Sequence, residues 1–206
     1  MKMKKLTGVF CAAAVTLGMM TSVFANPSIS TVNYDPESVT AEAQDPIPDG
    51  MKVEVQEPDI TRYENKETAE VVDKLNSEDK KITMEEAMET LKVDTTKVKT
   101  QNTEKEVNPL DYDFITRFAD VVLTDGTNVM YDDNGNVVSA KVTFKSEAVK
   151  GAKAENLLIM QIDPKTGKVY FIEILPEDFD PETGEITVTF PCLGPFTILE
   201  KTAANA

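Results

Sequence analysis

The chain has 206 residues, 41% apolar and 28% charged, a composition of soluble globular proteins with one or two modest domains. It contains no His and no Trp, which excludes imidazole acid–base chemistry, His-dependent triads and His-ligated zinc; two Cys are too few for a thiolate metal cage or a disulfide framework. Thirty-six acids against 21 bases give a formal charge of −15, which opposes binding to nucleic acid or to an anionic membrane face.

In chain order, Met1–Ala25 reads as a signal peptide, with Lys2, Lys4 and Lys5, an apolar stretch from Leu6 to Met20, and the small-residue exit Val23-Phe24-Ala25. Its removal takes away three lysines and Cys11, leaving 18 bases, 36 acids and Cys192 as the single thiol of an exported chain with no membrane attachment. Residues 26–60 hold Pro27, Pro36, Pro46, Pro48 and Pro58 among acids and are expected to form a flexible acidic leader; the alternation of Met51–Val55 allows one short strand there. A short helical pair is expected over 61–93. Thr68, Val71, Val72 and Leu75 follow a cap at Asn65, and Met84, Ala87, Met88 and Leu91 follow Thr83 with Glu86 three residues on, a capping box. Helices of two to three turns must dock on something, and the Met84/Met88 stripe reads as core contact ahead of a partner-binding face. Residues 94–109 read as a linker.

From 110 to 201 the pattern changes to β-type segments between strong turn signals: Phe118–Leu123, Asn128–Tyr131, Val137–Phe144, Leu157–Ile162, Val169–Leu175, Ile186–Phe190 and Phe196–Leu199. The fold class expected is mainly β (α+β): a C-terminal antiparallel β-sandwich preceded by the two short helices and the leader. Val138, Ala140, Val142 and Phe144 face one way and Lys141, Thr143 and Lys145 the other; Ile186, Val188 and Phe190 do the same against Thr187 and Thr189. The repeated Asp-Pro-x-Thr-Gly at Asp163–Gly167 and Asp180–Gly184 has a mechanical reading: Pro sets φ at the turn corner and Gly closes a bulged hairpin. Val169–Leu175 is apolar on both faces and reads as a central strand. Glu173 on it would titrate high if buried and would then flag a site; near the strand end it is expected to reach water.

Chemistry-bearing patterns are sparse. Asp132–Asn136 concentrates oxygen donors, but a calcium loop starting at Asp132 would meet Val137 at its sixth place and Thr143 at its twelfth, so a hairpin turn is expected; a weaker divalent-cation site between Asp178 and Asp180 stays open. No phosphate-cradling Gly loop and no Ser-x-x-Lys occurs, and Lys141 and Lys145 fall on a polar face unsuited to an isopeptide crosslink. Cys192 shares parity with Ile186, Val188 and Phe190 and reads as a small buried hydrophobe. No catalytic, cofactor-binding or metal-ligating residue is assigned, and no cofactor is expected.

Ile186-Thr-Val-Thr-Phe190 followed by Gly194-Pro-Phe-Thr-Ile-Leu199 resembles the β-rich modules of exported surface proteins of Gram-positive gut bacteria. That resemblance, over roughly the last 90 residues, implies a non-enzymatic adhesive or accessory module whose partner is an envelope protein or glycan. The chain shows no Leu-Pro-x-Thr-Gly sorting signal, so any wall association is expected to be non-covalent. A second resemblance joins Ile82–Met88 and Ile162–Val169 to the helix-then-hairpin pattern of PepSY-type domains, which implies restraint or chaperoning of exported peptidases.

Overall fold

The computed structural model describes residues 38–77 and 82–202. The expected signal peptide, and the part of the leader before residue 38, lie outside these residues. The strands are β1 (Thr40–Ala43), β2 (Lys52–Gln56), β3 (Tyr112–Phe114), β4 (Ala119–Thr124), β5 (Val129–Met130), β6 (Ala140–Lys145), β7 (Leu157–Ile162), β8 (Val169–Glu173), β9 (Phe179–Asp180), β10 (Glu185–Phe190) and β11 (Gly194–Lys201), with helices α1 (Lys66–Asn76) and α2 (Met84–Thr90) between β2 and β3. They form two antiparallel sheets, one in the order β1-β6-β10-β9, the other β2-β4-β11-β7-β8 with β3 on β11 and β5 on β4. The fold is mainly β and sandwich-like.

Alternation explains the smaller sheet. Val138, Ala140, Val142, Phe144, Ile186 and Phe190 are 0–1% exposed and face the larger sheet, while Lys141 points to solvent. Between the sheets Phe196 packs its ring 4.7 Å from Phe190 and 5.5 Å from Phe144. The larger sheet differs because both of its faces are covered: Ala119, Val121, Leu123 and Ile159 join the inter-sheet core, whereas Phe118, Leu158, Met160 and Ile162 join a second core with α1 and α2. That is why β4 and β7 are buried at every position and read as mostly apolar runs, broken only by Asp120, Thr124 and Gln161, rather than as alternating ones.

The helices begin where local chemistry requires. The Asn65 side chain accepts from Thr68 N–H, and Thr83 with Glu86 forms the reciprocal capping box. Val71, Val72, Leu75, Met84 and Met88 are all buried against the sheet, so the methionine stripe is core contact. Helix α1 is pinned at both ends. Asn65 N–H donates to Pro164 carbonyl at 2.9 Å, and the Asn76 amide exchanges hydrogen bonds with the backbone N–H and carbonyl of Phe118 at 2.8 and 3.0 Å.

Three expectations are corrected. Within the described residues, 26–60 is not a loose leader: the short strand expected at Met51–Val55 is β2, paired with β4 over five residues, and the unexpected β1 pairs with β6 over four, each laying its apolar residues on the inter-sheet core while its backbone meets an open strand edge. Asp45 adds hydrogen bonds to Ser139 N–H and hydroxyl. The 94–109 stretch is likewise docked, through an antiparallel bridge from Lys99 to Glu106 and a parallel one from Thr100 to Phe171. Strand β8 lies at the end of the larger sheet rather than its centre. Its two-sided apolarity arises because Phe171 enters the helix-side core and Ile172 the inter-sheet core, while the docked stretch meets its outer edge.

Candidate functional site

Four segments converge on a cleft of about 280 Å³: the turn into α1 (Arg62, Glu64), the β5–β6 connection (Tyr131, Asp132, Gly135, Val137), the β7–β8 hairpin (Asp163–Thr166) and the β10–β11 corner (Cys192, Leu193). Each is a tight turn with its own geometry settled. Asp133 and Asn136 exchange backbone hydrogen bonds at 3.0 and 2.8 Å around Asn134 (φ 50°) and Gly135 (φ 87°), the hairpin turn expected there. In the β7–β8 hairpin the Asp163 carboxylate accepts from Lys165 N–H, Thr166 N–H and the Thr166 hydroxyl, and Gly167 sits at φ 76°. The β10–β11 corner is fixed by Gln161, whose buried amide donates to Cys192 carbonyl at 2.7 Å.

The cleft is lined by apolar and charged side chains together. Val137 is 63% exposed, an open aliphatic side chain beside Leu193, Pro164 and the Tyr131 ring. Around them Lys165 bonds Asp132 at 3.2 Å and lies 4.0 Å from Glu64, and Arg62 bonds Asp59 at 2.8 Å and donates to Val129 carbonyl. Cys192, 5% exposed, has its thiol pushed up to about 12 by burial, so it stays protonated at neutral pH and is no nucleophile.

Behind the cleft is a buried carboxylate that the sequence reading did not single out. Asp120 on β4 is 0% exposed. Its Oδ1 accepts from the Tyr63 hydroxyl and its Oδ2 from the Tyr131 hydroxyl, both at 2.7 Å, and the two rings meet edge to face at 5.7 Å between centroids. Burial pushes the Asp120 carboxyl up to about 6, with the two phenol hydrogen bonds pulling the other way. Burial and the Asp120 charge in turn hold both phenols above their ordinary range. The signal for this residue was an acid interrupting the apolar run Phe118–Leu123, with the parity of Phe118 and Val122. Its partners lie 57 and 11 residues away, which no local pattern records.

Glu173 is neither the high-titrating site carboxylate nor simply solvated. It bonds Lys105 and the Thr103 hydroxyl, and Asn102 pairs with its backbone on both sides. Partial burial raises its carboxyl, but the bonds from Lys105 and Thr103 outweigh that and hold it below the usual range. Asp180, read as half of a divalent-cation site, has its carboxylate oxygens engaged by Glu182 N–H and the Thr183 hydroxyl. Among the described residues no group of three or more His, Cys, Asp or Glu converges to hold a metal ion. The β7–β8 hairpin is met by the N-cap residue of α1, Asn65, whose N–H donates to the Pro164 carbonyl at 2.9 Å.

Among the described residues no helix is long and apolar enough to cross a membrane. Comparison with family models, with curated proteins and with solved structures gives no match for this chain.

Proposed function

We propose that this protein is an exported binding module of a bacterial envelope, acting without catalysis, and that it captures an apolar side chain of an envelope protein in the cleft between the Asp132–Val137 and Asp163–Thr166 turns. The observation that carries the reading is an exposed aliphatic side chain, Val137, in a cleft that it shares with Leu193 and Tyr131 and with the already engaged charges of Arg62, Lys165 and Asp132. Protein interfaces concentrate their energy in such a place, where one anchoring side chain enters a dry pocket and a polar ring excludes water. The volume lies near the lower end of the roughly 300–1,000 Å³ found for ligand sites, enough for a single side chain rather than a sugar chain. The resemblance of Ile186–Leu199 to modules of Gram-positive surface proteins supports the same reading, as does a leader of signal-peptide composition.

The test uses blocked pentapeptides that differ only at the central residue, Leu, Phe or Ser, titrated into the isotopically labelled protein. Apolar centres are expected to shift the amide resonances of Tyr131, Thr166 and Leu193, with Ser inert. Val137→Arg, which leaves the core untouched, should weaken binding about tenfold or more, equivalent to about 1.4 kcal/mol. Shifts that ignore the central residue, or binding unaffected by Val137→Arg, would refute the assignment.

A further inference from the structure

Among the described residues Asp120 is the one Asp, Glu, Lys or Arg that is fully buried, and both side chains bonded to it are neutral phenols. Its position gives it leverage over the cleft. Tyr131 is itself a wall residue, and Tyr63 sits in sequence between Arg62 and Glu64, which also line the cleft. One carboxylate thus ties together two walls that belong to different parts of the chain.

Few other charges face it. From the turn that carries Tyr63 comes Asp59, whose backbone hydrogen bond favours the ionised form of Asp120 and whose negative charge, a smaller effect, disfavours it, with Arg62 paired to Asp59 at 2.8 Å. On β2 the residue opposite is Gln56, and on the same face Glu54 and Lys52 pair with each other. On β11 the residue opposite is Pro195, and the buried face of α1 offers only Thr68, Val71, Val72 and Leu75.

We infer that Asp120 is a pH-responsive latch for the cleft: protonated, it holds the Tyr63 and Tyr131 walls closed; ionised, it favours states in which the walls part and water reaches it. The sign follows from linkage. A carboxyl that is dry in the closed state and hydrated in the open one binds its proton more tightly when closed, so rising pH favours opening. When protonated, its O–H donates to one phenol oxygen and frees that phenol's proton for water at the cleft. Burial places the changeover at about pH 6. The consequence for side-chain capture, tighter at pH 5.5 than at 7.5, rests on the reading of the cleft as a docking site; the latch itself is measured without any peptide.

Amide hydrogen exchange of the full chain, followed by mass spectrometry from pH 4 to 7.5 and corrected for the intrinsic base dependence, reads the opening directly. In residues 59–64 and 129–133 the opening equilibrium is expected to rise by up to about tenfold per pH unit between the hydrated carboxyl's pKa of about 3.9 and the closed-state value of about 6, and to level off above about pH 6, the levelling marking the midpoint. Asp120→Asn should abolish the rise. Tyr131→Phe, which removes one bond to the charged form, should keep the rise but move its midpoint upward. A pH-independent opening, the same rise in Asp120→Asn, or an unmoved or lowered midpoint in Tyr131→Phe overturns the latch. If the rise is present while no peptide binds at any pH, the docking reading fails and the latch stands; if peptides bind and the rise is missing, the reverse holds.

Discussion

A single backbone angle is the sharpest local constraint on the cleft. Gly194 has φ +139°, and a Cβ there would come within 2.5 Å of Ile162 carbonyl and 2.6 Å of Pro164 Cδ. The hairpin and the corner, both lining the cleft, therefore pack directly on one another, with no room for a methyl group. Gly194→Ala is expected to cost about 2–3 kcal/mol, from the disfavoured φ and the forced displacement together. Urea unfolding checks this: the midpoint should fall with little change in slope, and an unchanged midpoint would contradict the packing described. Caps show how much a residue reveals on its own. Asn65 and Thr83 were legible because the groups they satisfy lie three residues away, in Thr68 and Glu86. Asp120 was not, because an acid within an apolar run has no partner until the chain folds back.

Docking, rather than intrinsic propensity, decides which segments become elements. Helix α1 has 11 residues, short for an isolated helix, and its two pins supply what length does not. Asn76→Ala removes both part-buried hydrogen bonds that tie the end of α1 to the Phe118 backbone, and a loss of about 1–3 kcal/mol is expected in chemical denaturation. The 94–109 stretch illustrates the same principle from the other side. Its residues carry almost no periodic signal, yet Thr100, Asn102, Thr103 and Lys105 close over the edge of β8 through Phe171 and Glu173. Because the carboxyl of Glu173 is held below its ordinary range, its bonds stabilise the folded state above the usual Glu pKa of about 4.3 and are lost as pH falls through that region. Glu173→Gln is expected to speed limited proteolysis within 99–106 at neutral pH with only a small change in thermal midpoint. A large global loss would mean the stretch belongs to the core.

At the scale of the whole molecule, opposing titrations set the pH of greatest stability. Asp59, Asp94, Asp125, Asp180 and Glu173 all titrate below their ordinary range, held there largely by hydrogen bonds, so their stabilisation disappears as pH falls below about 4. Asp120 titrates at about 6, above its ordinary value, so its contribution is fullest below the unfolded pKa of about 3.9 and is lost as pH rises through 6. With a formal charge of −15 the chain also repels itself more as acids ionise. Thermal stability is therefore expected to peak between about pH 4 and 6, and added salt at pH 7.5 should raise the midpoint by screening. Differential scanning calorimetry over pH 3–8 checks both; a maximum above pH 7, or a midpoint lowered by moderate NaCl, would contradict this balance.

Sequence alone determined the two helices, the short strand near Met51–Val55 and the main strands from residue 118 onward, because alternation, helical spacing, capping residues and Asp-Pro-x-Thr-Gly turns act within a few residues of one another. It also determined that Val138, Val142, Ile186 and Phe190 would face inward, since side-chain parity along a strand is local geometry. Tertiary structure decided what those elements meet: that residues 40–43 and 52–56 complete the two sheets, that β8 ends its sheet instead of centring it, and that Tyr63 and Tyr131 converge on Asp120 beneath a cleft. These depend on which free strand edge and which buried polar atom remain unpaired after the local structure has formed, and that is a property of the assembled chain.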